Sequence, residues 1–228
     1  MIFRAATKHI AARDIRSMLY YDQKHPMEDF DMEFTKALET RRSIHSLTNE
    51  MLLPDDQVAD LVGHAVQHTP SAFDSQSQRA ILLFGEKHAQ LWSIVLEGLR
   101  KVVPAADFPK SEKKIMGFAN GRGTVLYFDD TAVLEGLVKS YPLYEKNFRL
   151  WAEQQLGMLQ SNVWVGLAEV GYGASLQHYN ELIEADVKKA FDVPEAWKLS
   201  AQMPFGKAAA GPKTKVHQPL EKRFIVLK

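Results

Sequence analysis

The chain contains no cysteine. That absence removes disulfide staples, thiolate metal sites, iron–sulfur clusters and thiol nucleophiles together. An excess of either charge is also missing, because 28 Lys and Arg balance 28 Asp and Glu. No overall field therefore recommends nucleic acid or an anionic membrane as partner. No apolar run approaches the roughly 20 residues that span a bilayer, and the N-terminus lacks the apolar core of a secretory signal, so cytoplasmic residence is expected. Internal repeats, low-complexity tracts, a GxGxxG after a strand, a GxSxG elbow and an HExxH are all absent. "GKAAAGPKT" at 206–214 approaches a P-loop, but Pro212 parts Gly211 from Lys213 and no helix follows.

What is present suits a globular domain: 228 residues, 46% of them hydrophobic, are ample for a core. The expected division is an N-terminal extension over 1–30 and one domain over 31–228, α+β or α/β with helices in the majority. In the extension Arg4, Lys8, Arg13 and Arg16 precede most of the acids. That composition is similar to a mitochondrial presequence, against which Asp14 counts. An upstream start, a disordered extension and an arm packed on a partner subunit are the competing readings.

Helical periodicity predicts a helix over 31–42 with Phe34, Ala37 and Leu38 on one stripe, and another after Pro54 with Val58, Leu61, Val62, Ala65 and Val66 inward, ended by Pro70. On this second helix Asp60, His64 and His68 share the face away from Leu61 and Val62, which reads as a solvated stripe rather than a metal site. "RAILLFG" predicts a strand buried on both faces, and Glu86–Val102 a further helix. Residues 104–123, with two prolines and three glycines, read as an irregular connection or lid. "TVLYF", "WKLSAQMPFG" and "RFIVLK" read as strands and "NELIEADVKKAF" as a short amphipathic helix. The segment from Tyr144 to Val170 is apolar on nearly every side, which calls for a large core or a subunit interface.

Polar chemistry gathers at three places bordering this apolar structure. "ETRRSIH" (39–45) offers two guanidinium forks and a hydroxyl at a helix end, a combination that matches phosphate. "PSAFDSQ" (70–76) is a dense polar turn just ahead of a core strand. "GKAAAGPKTKVHQPLEKR" carries Lys207, Lys213 and Lys215 with no acid until Glu221. Each alone also reads as helix-end charge, an ordinary turn or a solvated basic loop.

In this order, with Gln155 in the long core helix and Gly171-Tyr172-Gly173-Ala174-Ser175 at its end, the three clusters resemble the nitroreductase superfamily of FMN-dependent oxidoreductases, in a short subgroup similar to fungal and Gram-positive stress-linked members. The resemblance covers roughly 31–228. It implies an α+β fold around a mixed, mainly antiparallel sheet surrounded by helices, in an interlocked homodimer with two FMN sites at the interface. It implies that Arg41 and Ser43, with Lys213 or Lys215 and more weakly Arg42, hold the FMN phosphate. Pro70 and Ser71 would lie along the ring and ribityl chain, with Ala72 where a second serine is common, Asp74 where the family usually has asparagine, and Gln76 closing the loop. Gln155 would reach the pyrimidine edge or ribityl. Leu176, Gln177 and His178 would place a main-chain N–H near flavin N5 and O4, His178 also standing near substrate or serving as a satisfied loop histidine. The implied activity is ping-pong hydride transfer from NADH or NADPH through flavin to nitroaromatics, quinones or similar acceptors. A flavin-binding sensor with little turnover is the alternative, and a non-flavin phospholigand protein a third reading.

Overall fold

The computed structural model describes residues 34–228; the extension over 1–30 and its targeting reading lie outside the described residues. In chain order the elements are α1 (Phe34–Thr40), β1 (Leu47–Thr48), α2 (Asp55–His68), β2 (Gln78–Phe84), α3 (Gly85–Val102), α4 (Phe108–Ala119), β3 (Gly123–Asp130), α5 (Thr131–Ser140), α6 (Glu145–Glu169), β4 (Gly173–Ala174), α7 (Asn180–Phe191) and β5 (Trp197–Ala208). The sheet runs β1-β5-β3-β2 with β4 also on β5. All ladders are antiparallel, and the one parallel contact is the bridge between Ser43 and Ala174. The sheet is therefore mixed and mainly antiparallel, as the resemblance implied.

β3 is its centre, with Val125 to Phe128 wholly buried between β2 and β5. On one face Leu126, Phe128 and Leu199 pack with Trp92, Val95, Ile115 and Val187 from α3, α4 and α7. α5 and α6 cover the other. Fully burying each such side chain stabilises the fold by about 1.5–3 kcal/mol, before the entropy of ordering it is charged against it.

Several expectations are corrected. Within the expected helix over 31–42, the described part ends at Thr40 and only Ala37 is buried, while Phe34 and Leu38 are exposed, because seven residues present too short a face to α6. "RAILLFG" does form β2, but as an edge strand with Gln78 and Leu83 its only buried residues, because no strand among the described residues covers its outer edge. The expected lid over 104–123 contains α4, whose proline sits in the first turn, where a missing N–H costs nothing. α5, capped by the Asp130 carboxylate on the Ala132 N–H at 3.1 Å, has no counterpart in the sequence reading. "RFIVLK" is exposed and outside any strand, since no sheet edge of this chain meets it. Asp60, His64 and His68 are exposed as read.

One buried polar knot joins α3, α4 and β3. His88, 3% exposed, puts Nε2 3.1 Å from the Ala119 carbonyl and Nδ1 2.9 Å from Thr124 Oγ1, and Trp92 Nε1–H donates to the same hydroxyl at 3.0 Å. A carbonyl only accepts, so Nε2 carries the proton and the Thr124 hydroxyl donates to Nδ1. The neutral ring satisfies every partner, and burial lowers the His88 pKa against the backbone carbonyls that favour its charged form. With the folded pKa below the unfolded one, the neutral ring contributes stability above about pH 6.5 that is lost as pH falls through the folded value. Urea midpoints measured from pH 7.5 down to 5 should fall less steeply for His88→Gln than for the parent; parallel curves would remove His88 as the cause.

Candidate functional site

The residues singled out in the sequence gather in two groups. The first begins where α1 ends. Ile44 N–H donates to the Ala174 carbonyl at 2.9 Å, laying the strand after Arg41-Arg42 beside the turn that follows α6. A Cβ on Gly173 would lie 2.9 Å from Ile44, so only glycine admits this approach. Arg41 stacks its guanidinium 4.6 Å over the Trp164 ring. Trp164 Nε1 is buried with no hydrogen-bond partner among the described residues. Arg42 donates to the Lys213 carbonyl and so ties the C-terminal segment to the same place. Ser43 is exposed there. Lys215 is exposed and makes no hydrogen bond or ion pair among the described residues.

His45 and Lys114 belong to this group although the sequence reading passed over both. Burial lowers the His45 pKa first, and the nearby Lys114 and Lys213 ammonium groups lower it further. The approach of α4 is set by Gly117, whose added Cβ would meet the His45 carbonyl at 2.7 Å. Lys114 Nζ lies 5.8 Å from the Tyr179 ring, joining the cations to the segment after β4. In that segment Ser175 N–H donates to the Pro204 carbonyl at 3.3 Å and Gln177 N–H to the Gln202 carbonyl at 2.8 Å. By strand alternation Leu176 N–H points the other way and has no hydrogen bond among the described residues. Gln177 is buried, its amide donating to Ser175 Oγ at 3.0 Å. The exposed His178 turns toward a cavity beside α6.

The second group is the turn 70–76. Phe73, Asp74 and Gln76 have φ of 57°, 48° and 47°, a region non-glycine residues rarely adopt. Hydrogen bonds hold them there. Gln76 N–H donates to Ser71 Oγ at 2.9 Å, Asp74 Oδ1 accepts from Gln76 Nε2 at 3.0 Å, and the Pro70 carbonyl accepts from Gln78 Nε2 at 3.2 Å. Asp74 thus acts only as an acceptor, which a carboxylate does as well as an asparagine oxygen. Ala72 N–H donates to Gln155 Oε1 at 3.1 Å, Gln155 Nε2 to Ser77 Oγ at 2.7 Å, and Ser77 Oγ–H to Asp129 Oδ1 at 2.6 Å. Burial raises the Asp129 pKa, Ser77 opposing. Phe73, half exposed, sits amid Tyr141 and Phe148 at 5.2 Å and stacks on Trp151 at 6.1 Å. An apolar slot of about 300 Å³ opens between Phe73, Trp151, Gln155 and Met158.

α6 carries both groups, and helical geometry separates them. Gln155 and Trp164 are nine residues apart, about 13 Å along the axis and half a turn around it. The cationic group and the turn therefore look out from opposite faces of one helix. Neither His45, Lys114, Trp164 nor Phe73 carries a sequence signal beyond composition; adjacency to "RRSI" and "PSA" is the only hint for His45 and Phe73.

Known proteins resemble this arrangement. The sequence pattern of the Nitroreductase family matches residues 38–207. Among yeast proteins of Saccharomyces cerevisiae, HBN1 is 33% identical over 186 residues, covering 81% of this chain and 92% of its own, and the nitroreductase FRM2 is 32% identical over 186 residues, 80% and 91%. The structure of nitroreductase CinD from Lactococcus lactis in complex with 4-nitrophenol is 39% identical with a TM-score of 0.77, over 86% of this chain and 100% of that one. A Desulfitobacterium hafniense nitroreductase with bound FMN shares the fold at 17% identity and a TM-score of 0.63, over 86% and 99%. By the family match and the similarity to the two yeast proteins, the chain belongs to the nitroreductase family of oxidoreductases.

Proposed function

We propose that the protein is an FMN-dependent oxidoreductase that passes a hydride equivalent from NADH or NADPH to nitroaromatics, quinones or similar acceptors, as a homodimer whose two sites lie between subunits. The observation that carries the reading is the placement of the two groups on opposite faces of α6. A single chain cannot wrap one flavin with both, whereas two chains meeting across α6 supply a cationic half from one and a turn from the other. Leu150 and Met158 on the exposed side of α6, with Phe34 and Leu38 on α1, are the kind of apolar surface such a contact covers.

The residues fit the cofactor. Arg41, Ser43 and Lys213 offer guanidinium, hydroxyl and ammonium donors for a phosphate, with Arg42 positioning Lys213 through its carbonyl. Leu176 N–H is a free donor for the polar edge of a flat ring, and Trp164 Nε1 is a buried donor without a partner. Bound FMN would supply the redox chemistry, taking up reducing equivalents from the nicotinamide and giving them to the acceptor in alternate half-reactions. Lys114 would place positive charge beside the ring's pyrimidine edge, where negative charge grows on reduction, and the His45 imidazole beside it would offer a hydrogen bond. The turn 70–76 would cover the ring, and Phe73 with Trp151 would flank a planar acceptor. The 4-nitrophenol held by CinD is a planar molecule of that shape.

Purified protein should be yellow, release one FMN per chain on heating, and oxidise NADH or NADPH at a rate set by added acceptor. FMN-loaded protein without acceptor-dependent turnover would favour the sensor reading, and protein that takes up no FMN would overturn both. Arg41→Ala should weaken FMN binding about tenfold to a hundredfold, the worth of a charge-assisted contact, with unchanged circular dichroism; full flavin occupancy at low FMN would sink the phosphate assignment. Phe73→Ala should raise KM for 4-nitrophenol-sized acceptors about three- to tenfold, the loss of one aromatic face, while FMN content stays at the parent level.

A further inference from the structure

On the side of the sheet covered by α6 lies a cavity of about 400 Å³, bounded by α5, α6, β5 and the turn before α7. Leu134 and Leu156, both buried, form its apolar wall. Its volume suits a small organic molecule. Of the residues assigned to the flavin only His178 reaches it.

Two of its polar side chains are more than nine-tenths withdrawn from water: Asp129 is 7% exposed and Gln160 9%. Asp129 Oδ1 accepts from the Ser77 hydroxyl at 2.6 Å, and Oδ2 makes no hydrogen bond among the described residues. Gln160 makes none at all among them, although its amide carries two donors and an acceptor. Both side chains are withdrawn from bulk water as residues, yet their idle polar ends open onto the cavity, where the amide and the carboxylate oxygen face whatever enters it.

Charge selects what enters. Glu153, about one turn ahead of Leu156 and two ahead of Gln160 on α6, lines the cavity and lies near enough to Asp129 to add to the effect of burial in raising its pKa. Neither carboxylate has an ion pair among the described residues. The cations nearby are otherwise engaged or outlying: Arg79 is paired with Asp130 at 2.9 Å, Arg149 leans on Glu145 at 3.5 Å, and Lys198 is exposed at the mouth. An anion would meet two carboxylates, and a neutral molecule would leave their repulsion in place. A cation relieves it and can also donate to Gln160 Oε1.

We propose that this cavity binds an organic monocation, an ammonium or amidinium head on a small apolar body, with the head on Asp129, Glu153 and Gln160 and the body on Leu134 and Leu156. The site meets the flavin-assigned residues only at His178, and the proposal does not depend on the oxidoreductase reading.

The test is isothermal titration calorimetry of the full-length protein, as purified, with benzamidine, its neutral isostere benzamide, and benzoate. Benzamidine should bind once per chain, and Asp129→Asn and Glu153→Gln should each weaken it about tenfold or more, the worth of one charge-assisted contact. Asp129→Asn keeps an oxygen for Ser77, and Glu153 is exposed, so both variants should fold, with parent-like thermal midpoints as the check. Benzamide and benzoate should bind more weakly than benzamidine by a similar factor. The absence of binding at about 10 mM benzamidine, equal affinity for benzamide, or benzamidine affinity unmoved by Glu153→Gln would each overturn the proposal.

Discussion

The side chain of Gln155, buried at the middle of α6, has both ends of its amide engaged, the oxygen by the Ala72 N–H and the nitrogen by the Ser77 hydroxyl, which in turn donates to Asp129. That chain fixes the distance between a helix, a turn and the central strand. Three non-glycine residues in left-handed conformations would cost about 1–3 kcal/mol each if the turn were free to relax. They persist because the turn is clamped at Ala72 from behind and at Gln76 by Ser71. The polar density of "PSAFDSQ" is thus spent largely on the turn itself. What it presents outward is Pro70, the ring of Phe73, and the Asp74 and Gln76 side chains already bonded to each other.

The same economy explains how a chain with no net charge builds a cationic site. Arg41, Arg42, Lys114 and Lys213 come from three separate stretches of sequence and meet because two glycines, at 117 and 173, let backbones approach where a Cβ would collide. Local charge is a product of folding here, and the whole-chain balance conceals it.

The elements legible in sequence were those whose own residues decide them. α2, α3, β3 and β5 carry unbroken periodicity between clear stops, and the periodicity of α7 is also complete. α4 was hidden because Pro109 and Gly117 look like punctuation, although one opens a helix and the other accommodates His45. The edge position of β2 and the unpaired state of "RFIVLK" depend on which strands find neighbours, which no local pattern encodes. At the site, "RRSI" and "PSAFDSQ" stood out because polar islands beside apolar runs are rare. Lys114, Trp164, Asp129 and Gln160 look ordinary in sequence. Each acquires its meaning from partners dozens of residues away, through burial, a lost proton acceptor or a neighbouring ammonium.

The half-turn of α6 between Gln155 and Trp164 also has a genetic consequence. In the dimer we propose, each site draws its cationic half from one subunit and its turn from the other. A lesion at Arg41 and a lesion at Gln155, carried on different chains and mixed, would then fall together on one site of the heterodimer and leave the other intact. Two inactive alleles would restore each other, up to half the sites in every mixed dimer, without any exchange of sequence between them.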